Sequence, residues 1–474
     1  MSFKVEIKNI GKLADAELRI GRFTVFAGPN NTGKSFVSKL LYSLFDAMNA
    51  NPAETYMDHL ARPVEDALTM MRTWVNEKTE FRSTQTILIG AMLPKFLGLK
   101  DLVRGASIDE LDQIIPRLIS QTKEMQEMAA DISQSFESED EQKGVDYRLY
   151  DKPPSSQERL WKKVALENMR RSLDELQEAL SQTNAKNFIV ASIQHKIREN
   201  LIQNFQVPRL SDLRSKENVS SEINVEDFGK FGFSNEEGEF EISRTLLQQS
   251  QRYSNVIYLE SPVYWKLKNA LEDINSSSGF FGRREREPLS GVPGYFYDLA
   301  RALKFQYTGA MAFPDVYERL TGSDVIGGKI AISETGDLSF QENGRNFSLP
   351  VTAMGIANLG ILALLIERKV LDKESFLFID EPEAHLHPAW QVRMAENLFE
   401  LSRQDVNVVI ATHSADILKW LEVHVKKNPN DEQLVALNQF PANAREVEED
   451  FETRIAEIKQ ELTKPFSDLY LEGL

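Results

Sequence analysis

The sequence predicts an α/β fold built on a parallel sheet, and three stretches carry that expectation. Gly28 to Ser35 fits G-x-x-x-x-G-K-[ST] at every fixed position; the apolar, β-rich run Phe23 to Ala27 precedes it and the helix-spaced run Phe36 to Leu44 follows. Phe376 to Ile379 is a wholly apolar strand that ends in two carboxylates, Asp380 and Glu381. Val406 to Ala411 is a second buried strand, ending at Thr412-His413-Ser414, and the amphipathic helix Trp390 to Leu401 stands between the two. Strand, helix, strand is the repeating unit of a parallel sheet.

The loop residues Gly28, Pro29, Asn30, Asn31, Thr32, Gly33, Lys34 and Ser35 suit a phosphate. Glycine lets backbone N–H groups turn inward and the following helix offers its positive end; Lys34 is expected at the β/γ-phosphates and Ser35 on Mg²⁺. A chance match on a surface loop is the bland alternative, and the flanking strand and helix weigh against it. An Asp-Glu pair alone reads as a solvated strand end. Beside a phosphate loop it completes a site, because ligands of open parallel sheets bind at the strands' carboxyl ends. Asp380 is then placed to hold Mg²⁺ through its water shell, and Glu381 to polarise or deprotonate a water at the γ-phosphate. The combination predicts hydrolysis of ATP or GTP, with ATP and Mg²⁺ as the expected ligands.

Composition narrows the class. The 474 residues include no cysteine, which removes disulfides, thiolate metal sites and cysteine nucleophiles together. No apolar run approaches the ~18 residues of a membrane span, and the start lacks a basic region followed by an apolar one, so a cytoplasmic protein with no membrane partner is expected. The net charge of −17 repels nucleic acid on average, so any such contact is expected to be local or indirect.

Taken in order, residues 3–27 alternate as a β-meander feeding the loop, and 46–100 are mostly helical, with Leu60, Val64, Leu68 and Met71 on one face, expected to pack on the nucleotide domain. Residues 101–250 read as a mainly helical insertion. Within it Leu166, Met169, Leu173, Leu176 and Leu180 form a stripe too short for a coiled-coil arm, read as a helix packing within the chain, and 222–245 read as short strands with a turn at Glu237-Gly238. Val256 to Glu260 is a buried-type strand. Residues 279–286 carry Arg283, Arg284 and Arg286 among glycines and aromatics, read as a solvated loop before a phosphate or partner contact. Residues 325–350 hold a hairpin with an Asn343-Gly344 turn, which predicts a β-subdomain. The divisions are 1–100 and 251–425 for the two parts of one nucleotide domain, 101–250 for the insertion, and 426–474 for a C-terminal helical extension.

Ile379-Asp380-Glu381-Pro382-Glu383-Ala384-His385-Leu386-His387-Pro388, with Ala411-Thr412-His413-Ser414 downstream and the Gly28 to Ser35 loop, resembles the ABC-type ATPase heads of the SMC, RecF and OLD-like group. The resemblance covers roughly the first 45 residues and residues 350–415. It implies a P-loop ATPase head split by an insertion, with Glu381 as general base and His413 as the switch histidine at the γ-phosphate. His385 and His387 are read as turn residues rather than metal ligands, since no further ligand accompanies them. Heads of this group pair to clamp ATP, the second copy supplying a Ser-Gly signature. Thr352 to Asn358 occupies that place here; Gly355 fits, but Met354 stands where serine is expected, which implies slow hydrolysis or a structural clamp.

OLD-like nucleases add a Toprim domain, whose glutamate and Asp-x-Asp set is missing after His413. The chain therefore resembles the ATPase subunits of two-gene anti-phage systems of the Septu and PARIS type. That resemblance implies homo-oligomers through the heads and a partner effector nuclease. The alternatives are a RecF-like DNA-binding repair ATPase and a nuclease with its site in residues 101–250.

Overall fold

The N-terminal strands divide between two sheets, although their sequence reads as one meander. The computed structural model describes residues 2–49, 52–76, 84–104, 106, 108–141, 156–215, 220–233, 238–242, 254–260, 291–304, 309–333, 337–441 and 450–472. β1 (Phe3–Ile10) and β2 (Leu13–Ile20) pair antiparallel around Gly11, and buried and exposed positions largely alternate along both. β3 (Phe23–Ala27) is buried at all five positions and joins the other sheet. Alternating strands cover one apolar face, whereas a strand apolar at every position needs cover on both. The phosphate loop and α1 (Lys34–Asn49) follow β3.

The chain forms two compact units, Asn51–Lys196 and Met1–Ala50 with Ile197–Leu474. The first of these is helical: α2 (Pro52–Asn76), α3 (Thr84–Val103), α4 (Ile108–Glu141), α5 (Ser156–Ser181) and the start of α6 (Ala185–Phe205). α2 packs on α3 and α5, and α4 on the same two helices. Leu166, Met169, Leu173, Leu176 and Leu180 of α5 are all buried, as are Val64, Leu68 and Met71 of α2, so both stripes are spent on neighbouring helices of this chain. Lys100 of α3 pairs with Asp58 and Glu65 of α2 at 2.9 and 3.0 Å. The helical unit thus begins at residue 51, where an insertion from 101 to 250 was expected. Amphipathic spacing shows that a helix has a partner but not which one, and α2 and α3 find theirs in α4 and α5.

β4 (Ser221–Val225), β5 (Gly229–Phe233) and β6 (Gly238–Ile242) extend the first sheet in the order β2-β1-β4-β5-β6, antiparallel throughout. Gly238 opens β6, and Glu237 lies outside the described residues. β7 (Val256–Leu259), α7 (Gly294–Lys304) and α8 (Pro314–Thr321) precede a small antiparallel sheet of β8 (Lys329–Ile332), β9 (Leu338–Glu342) and β10 (Arg345–Ser348). Asn343 and Gly344 between β9 and β10 have φ of 49° and 75°, the left-handed pair of the tight hairpin that Asn-Gly predicts.

α9 (Met354–Glu367), β11 (Phe376–Asp380), α10 (Pro388–Arg403), β12 (Asn407–Thr412), α11 (Ala415–Lys427), β13 (Val435–Gln439) and α12 (Phe451–Glu472) complete the chain. The core sheet runs β13-β3-β12-β11-β7 with every neighbouring pair parallel. This is the expected α/β class, a parallel sheet with a β-subdomain. The 426–474 segment is not helical throughout: Val435–Gln439 becomes an edge strand beside β3. Nothing in Val-Ala-Leu-Asn-Gln marks a strand; pairing decides it. Asn438 seals the edge, accepting from the Arg19 N–H at 2.8 Å and donating to its carbonyl at 2.9 Å.

Candidate nucleotide site

Three neighbouring strands, β3, β12 and β11, bring their carboxyl ends to one edge, where Thr412 stands beside Ala27 and Asp380 beside Ala411. The loop leaves β3 through Gly28, where a Cβ would lie 2.1 Å from the Phe440 carbonyl oxygen, so the residue after β13 permits only glycine there. Asn31 and Gly33 hold φ of 66° and 102°, and the Thr32 hydroxyl donates to the Pro29 carbonyl at 2.8 Å. Lys12, on the β1–β2 turn, donates to the Asn31 carbonyl at 3.3 Å. Sequence reasoning gave Lys12 no role.

α1 starts at Lys34. Its ammonium, buried, donates to the carbonyls of Gly28 and Pro29 at 2.8 and 2.6 Å. Burial pulls it below the usual lysine range, against the raising fields of Asp380, Glu381 and Glu383. The next residue, Ser35, donates from its hydroxyl to Asp380 Oδ1 at 2.8 Å. Burial pushes the Asp380 carboxyl up to about 6; the Ser35 hydrogen bond and Lys39 oppose the rise, while Glu260 and Glu381 add to it.

In the sequence Glu260 marks only the end of a strand. It pairs with Lys39 of α1 at 2.7 Å and accepts from the Tyr295 hydroxyl. The available signal was the one that marks Asp380, a buried strand ending in a carboxylate, but the partners come from α1 and α7.

Glu381 turns the chain with φ of 52°, its N–H on the Ala411 carbonyl at 2.8 Å. Its side chain is 47% exposed, and that of His413 is 41% exposed, with Nδ1 3.6 Å from Glu381 Oε1. Glu383, which sequence reasoning passed over, is buried beside His413: its Oε1 accepts from the Thr412 hydroxyl at 2.7 Å and the His413 N–H at 2.9 Å. Gln391 of α10 holds the same turn from the other side, its Oε1 accepting from the Ser414 hydroxyl at 2.7 Å.

His385 takes a left-handed turn, φ 62°, and His387 caps α10 by accepting from the Ala389 N–H at 3.3 Å. Gly355 is expected to reach the nucleotide of a second copy. It lies buried in the first turn of α9, where a Cβ would stand 2.8 Å from the His385 carbonyl oxygen. Arg283, Arg284 and Arg286 lie outside the described residues.

The donor set fits Mg·ATP: a glycine-bearing loop with left-handed turns, a buried ammonium, and paired hydroxyl and carboxylate oxygens of the hard type that Mg²⁺ takes. Fold and site together define a P-loop nucleotide hydrolase. The chain belongs to the AAA ATPase domain family, whose model matches residues 1–418, and it is an ATPase. No curated protein matches it in sequence. Among solved structures it is similar to an Smc head bound to the C-winged helix domain of ScpA (12% identity, 88% of this chain and 90% of that one, TM-score 0.36). It is also similar to the Smc head with a coiled coil and joint from Pyrococcus yayanosii (12% identity, 97% and 99%, TM-score 0.31). A third likeness is to the Pyrococcus furiosus Smc head with an extended coiled coil bound to the C-terminal domain of ScpA (11% identity, 89% and 92%, TM-score 0.27). Among the described residues no helix is long and apolar enough to cross a membrane.

Proposed function

We propose that ATP closes pairs of these heads, and that the closed assembly holds or releases a partner effector nuclease in cytoplasmic anti-phage defence. The observation that carries the pairing is the openness of the hydrolytic pair: Lys34 is buried, whereas Glu381 and His413 stay nearly half exposed. A second copy would cover them. The segment that leads to Gly355 suits the covering surface, since it carries Val351, an apolar side chain left 76% exposed. The effector role is supported by the resemblance of the motif set to the ATPase subunits of two-gene systems.

In this reading Lys34 and the loop N–H groups hold the β/γ-phosphates, and Ser35 and Asp380 hold Mg²⁺. Bound Mg²⁺ supplies charge neutralisation at the phosphates. Glu381 takes a proton from a water whose oxygen bonds to the γ-phosphorus as the bond to the β,γ-bridging oxygen breaks; His413 donates to a γ-phosphate oxygen.

Mass photometry of Glu381→Gln with and without ATP tests the pairing: an ATP-dependent rise to a dimer or larger supports it, and an unchanged mass overturns it. Co-expression with the product of the neighbouring gene tests the partner. Co-purification of a nuclease supports the proposal; salt-dependent duplex binding by this protein alone, with no such partner, replaces it with the DNA-repair reading.

A further inference from the structure

We propose that Glu383 is a positioning residue for ATP hydrolysis, the buried carboxylate that sets the switch turn and aims His413 at the reacting phosphate. The proposal rests on the reading of Glu381 and His413 as the hydrolytic pair.

Glu383 is 5% exposed, and its hydrogen bonds all fall on one oxygen. Oε1 accepts from the Thr412 hydroxyl at 2.7 Å and the His413 N–H at 2.9 Å, and His413 Nδ1 lies 3.4 Å from it. Thr412 passes the constraint on, since its hydroxyl accepts from the Ser414 N–H at 3.0 Å and the Ser414 side chain caps α11 through Ile417 N–H at 3.2 Å. One carboxylate oxygen therefore fixes the backbone on both sides of His413 and faces its ring. Oε2 is buried with no hydrogen-bond partner among the described residues.

A buried carboxylate with an empty oxygen is costly, and a neutral acceptor would cap the turn as well. The carboxyl group is useful because of where it stands. The post-strand turn Glu381–Leu386 is tied by Ala384 N–H to the Glu381 carbonyl and by Leu386 N–H to the Glu383 carbonyl at 2.9 and 3.0 Å. Glu383 thus links the segment bearing the base to the segment bearing the histidine.

The test measures ATP turnover and nucleotide affinity for Glu383→Ala, Glu383→Gln, His413→Ala and the double variant His413→Ala/Glu383→Ala, with Lys34→Ala as control. Positioning predicts that Glu383→Ala lowers kcat by ~10-fold or more while affinity shifts by under ~3-fold, that Glu383→Gln recovers part of the loss, and that Glu383→Ala costs under ~3-fold once His413 is gone. Equal losses in both backgrounds, or an unchanged kcat in Glu383→Ala and Glu383→Gln, overturn the assignment. Should Glu383→Ala fail to fold, the isosteric Gln variant decides, combined with His413→Ala in the same way. If Lys34→Ala turns over ATP like the wild type, the site reading itself has failed, an outcome distinct from the loss of Glu383 alone.

Discussion

The hydroxyl of Ser35 donates to Asp380 across 2.8 Å, although 345 positions separate the two in the chain. Ser35 is the second residue of α1 and Asp380 the last of β11. Their meeting joins the two motifs of the sequence into one oxygen-lined site. Asp380 carries a raised pKa in spite of that bond, because the carboxylate sits in a desolvated corner beside Glu260 and Glu381.

That shift sets a pH-dependent stability. The folded protein binds the Asp380 proton more tightly than the unfolded chain, so this contribution is fully present below the ordinary carboxylate value of 3.8 and is lost as pH rises through about 6. Asp380→Asn should therefore stabilise the nucleotide-free protein at pH 7.5 by at most ~3 kcal/mol, with the gain vanishing near pH 4. The same variant should lose the thermal shift that Mg·ATP gives the wild type. Denaturant unfolding at the two pH values checks the first outcome and a thermal melt the second.

Lys34→Ala should abolish detectable ATP binding. It also removes the ammonium from the Gly28 and Pro29 carbonyls, which predicts a loss of roughly 1–3 kcal/mol in the nucleotide-free protein. Titration calorimetry reads the binding and chemical denaturation reads the stability.

Glu381→Gln should bind ATP as the wild type does and turn over at least ~100-fold more slowly, since an amide cannot accept the proton of the attacking water. Phosphate release under saturating ATP measures it. Turnover within about threefold of wild type would assign the base to another group.

Gly355→Ala places a methyl 2.8 Å from the His385 carbonyl oxygen. Backbone cannot yield as a flexible side chain does, so a loss of about 1–3 kcal/mol is expected. A melting-temperature comparison with Gly98→Ala, also helical and with nothing within 4 Å of its Cβ, separates the clash from the general effect of leaving glycine.

Much of the core was legible because its strands state their environment. β3, β11 and β12 are apolar along nearly their whole length, which only a sheet covered on both faces accepts, and the punctuating residues Gly28, Gly33, Asn343 and Gly344 sit where the backbone turns left-handed or another backbone presses close. The Leu166 to Leu180 stripe announced a buried helix face for the same reason. Glu260, Glu383 and Lys12 were not legible as site residues. Each is a charged side chain in an ordinary local context, and its role depends on partners 19 to 221 positions distant. β13 was missed because a short edge strand draws its structure from its neighbour rather than its composition.

By itself, then, the sequence determined the chemistry available at each strand end: a phosphate loop after Ala27, two carboxylates after Ile379, a histidine after Thr412. Those are local properties, set by periodicity and by the backbone freedom of glycine. Only the tertiary structure decided which ends meet, that Gly355 lies against the His385 carbonyl, and that residues 51–196 form a unit of their own. Strand order and helix pairing are choices among distant partners with similar apolar faces, and burial of the whole core selects among them.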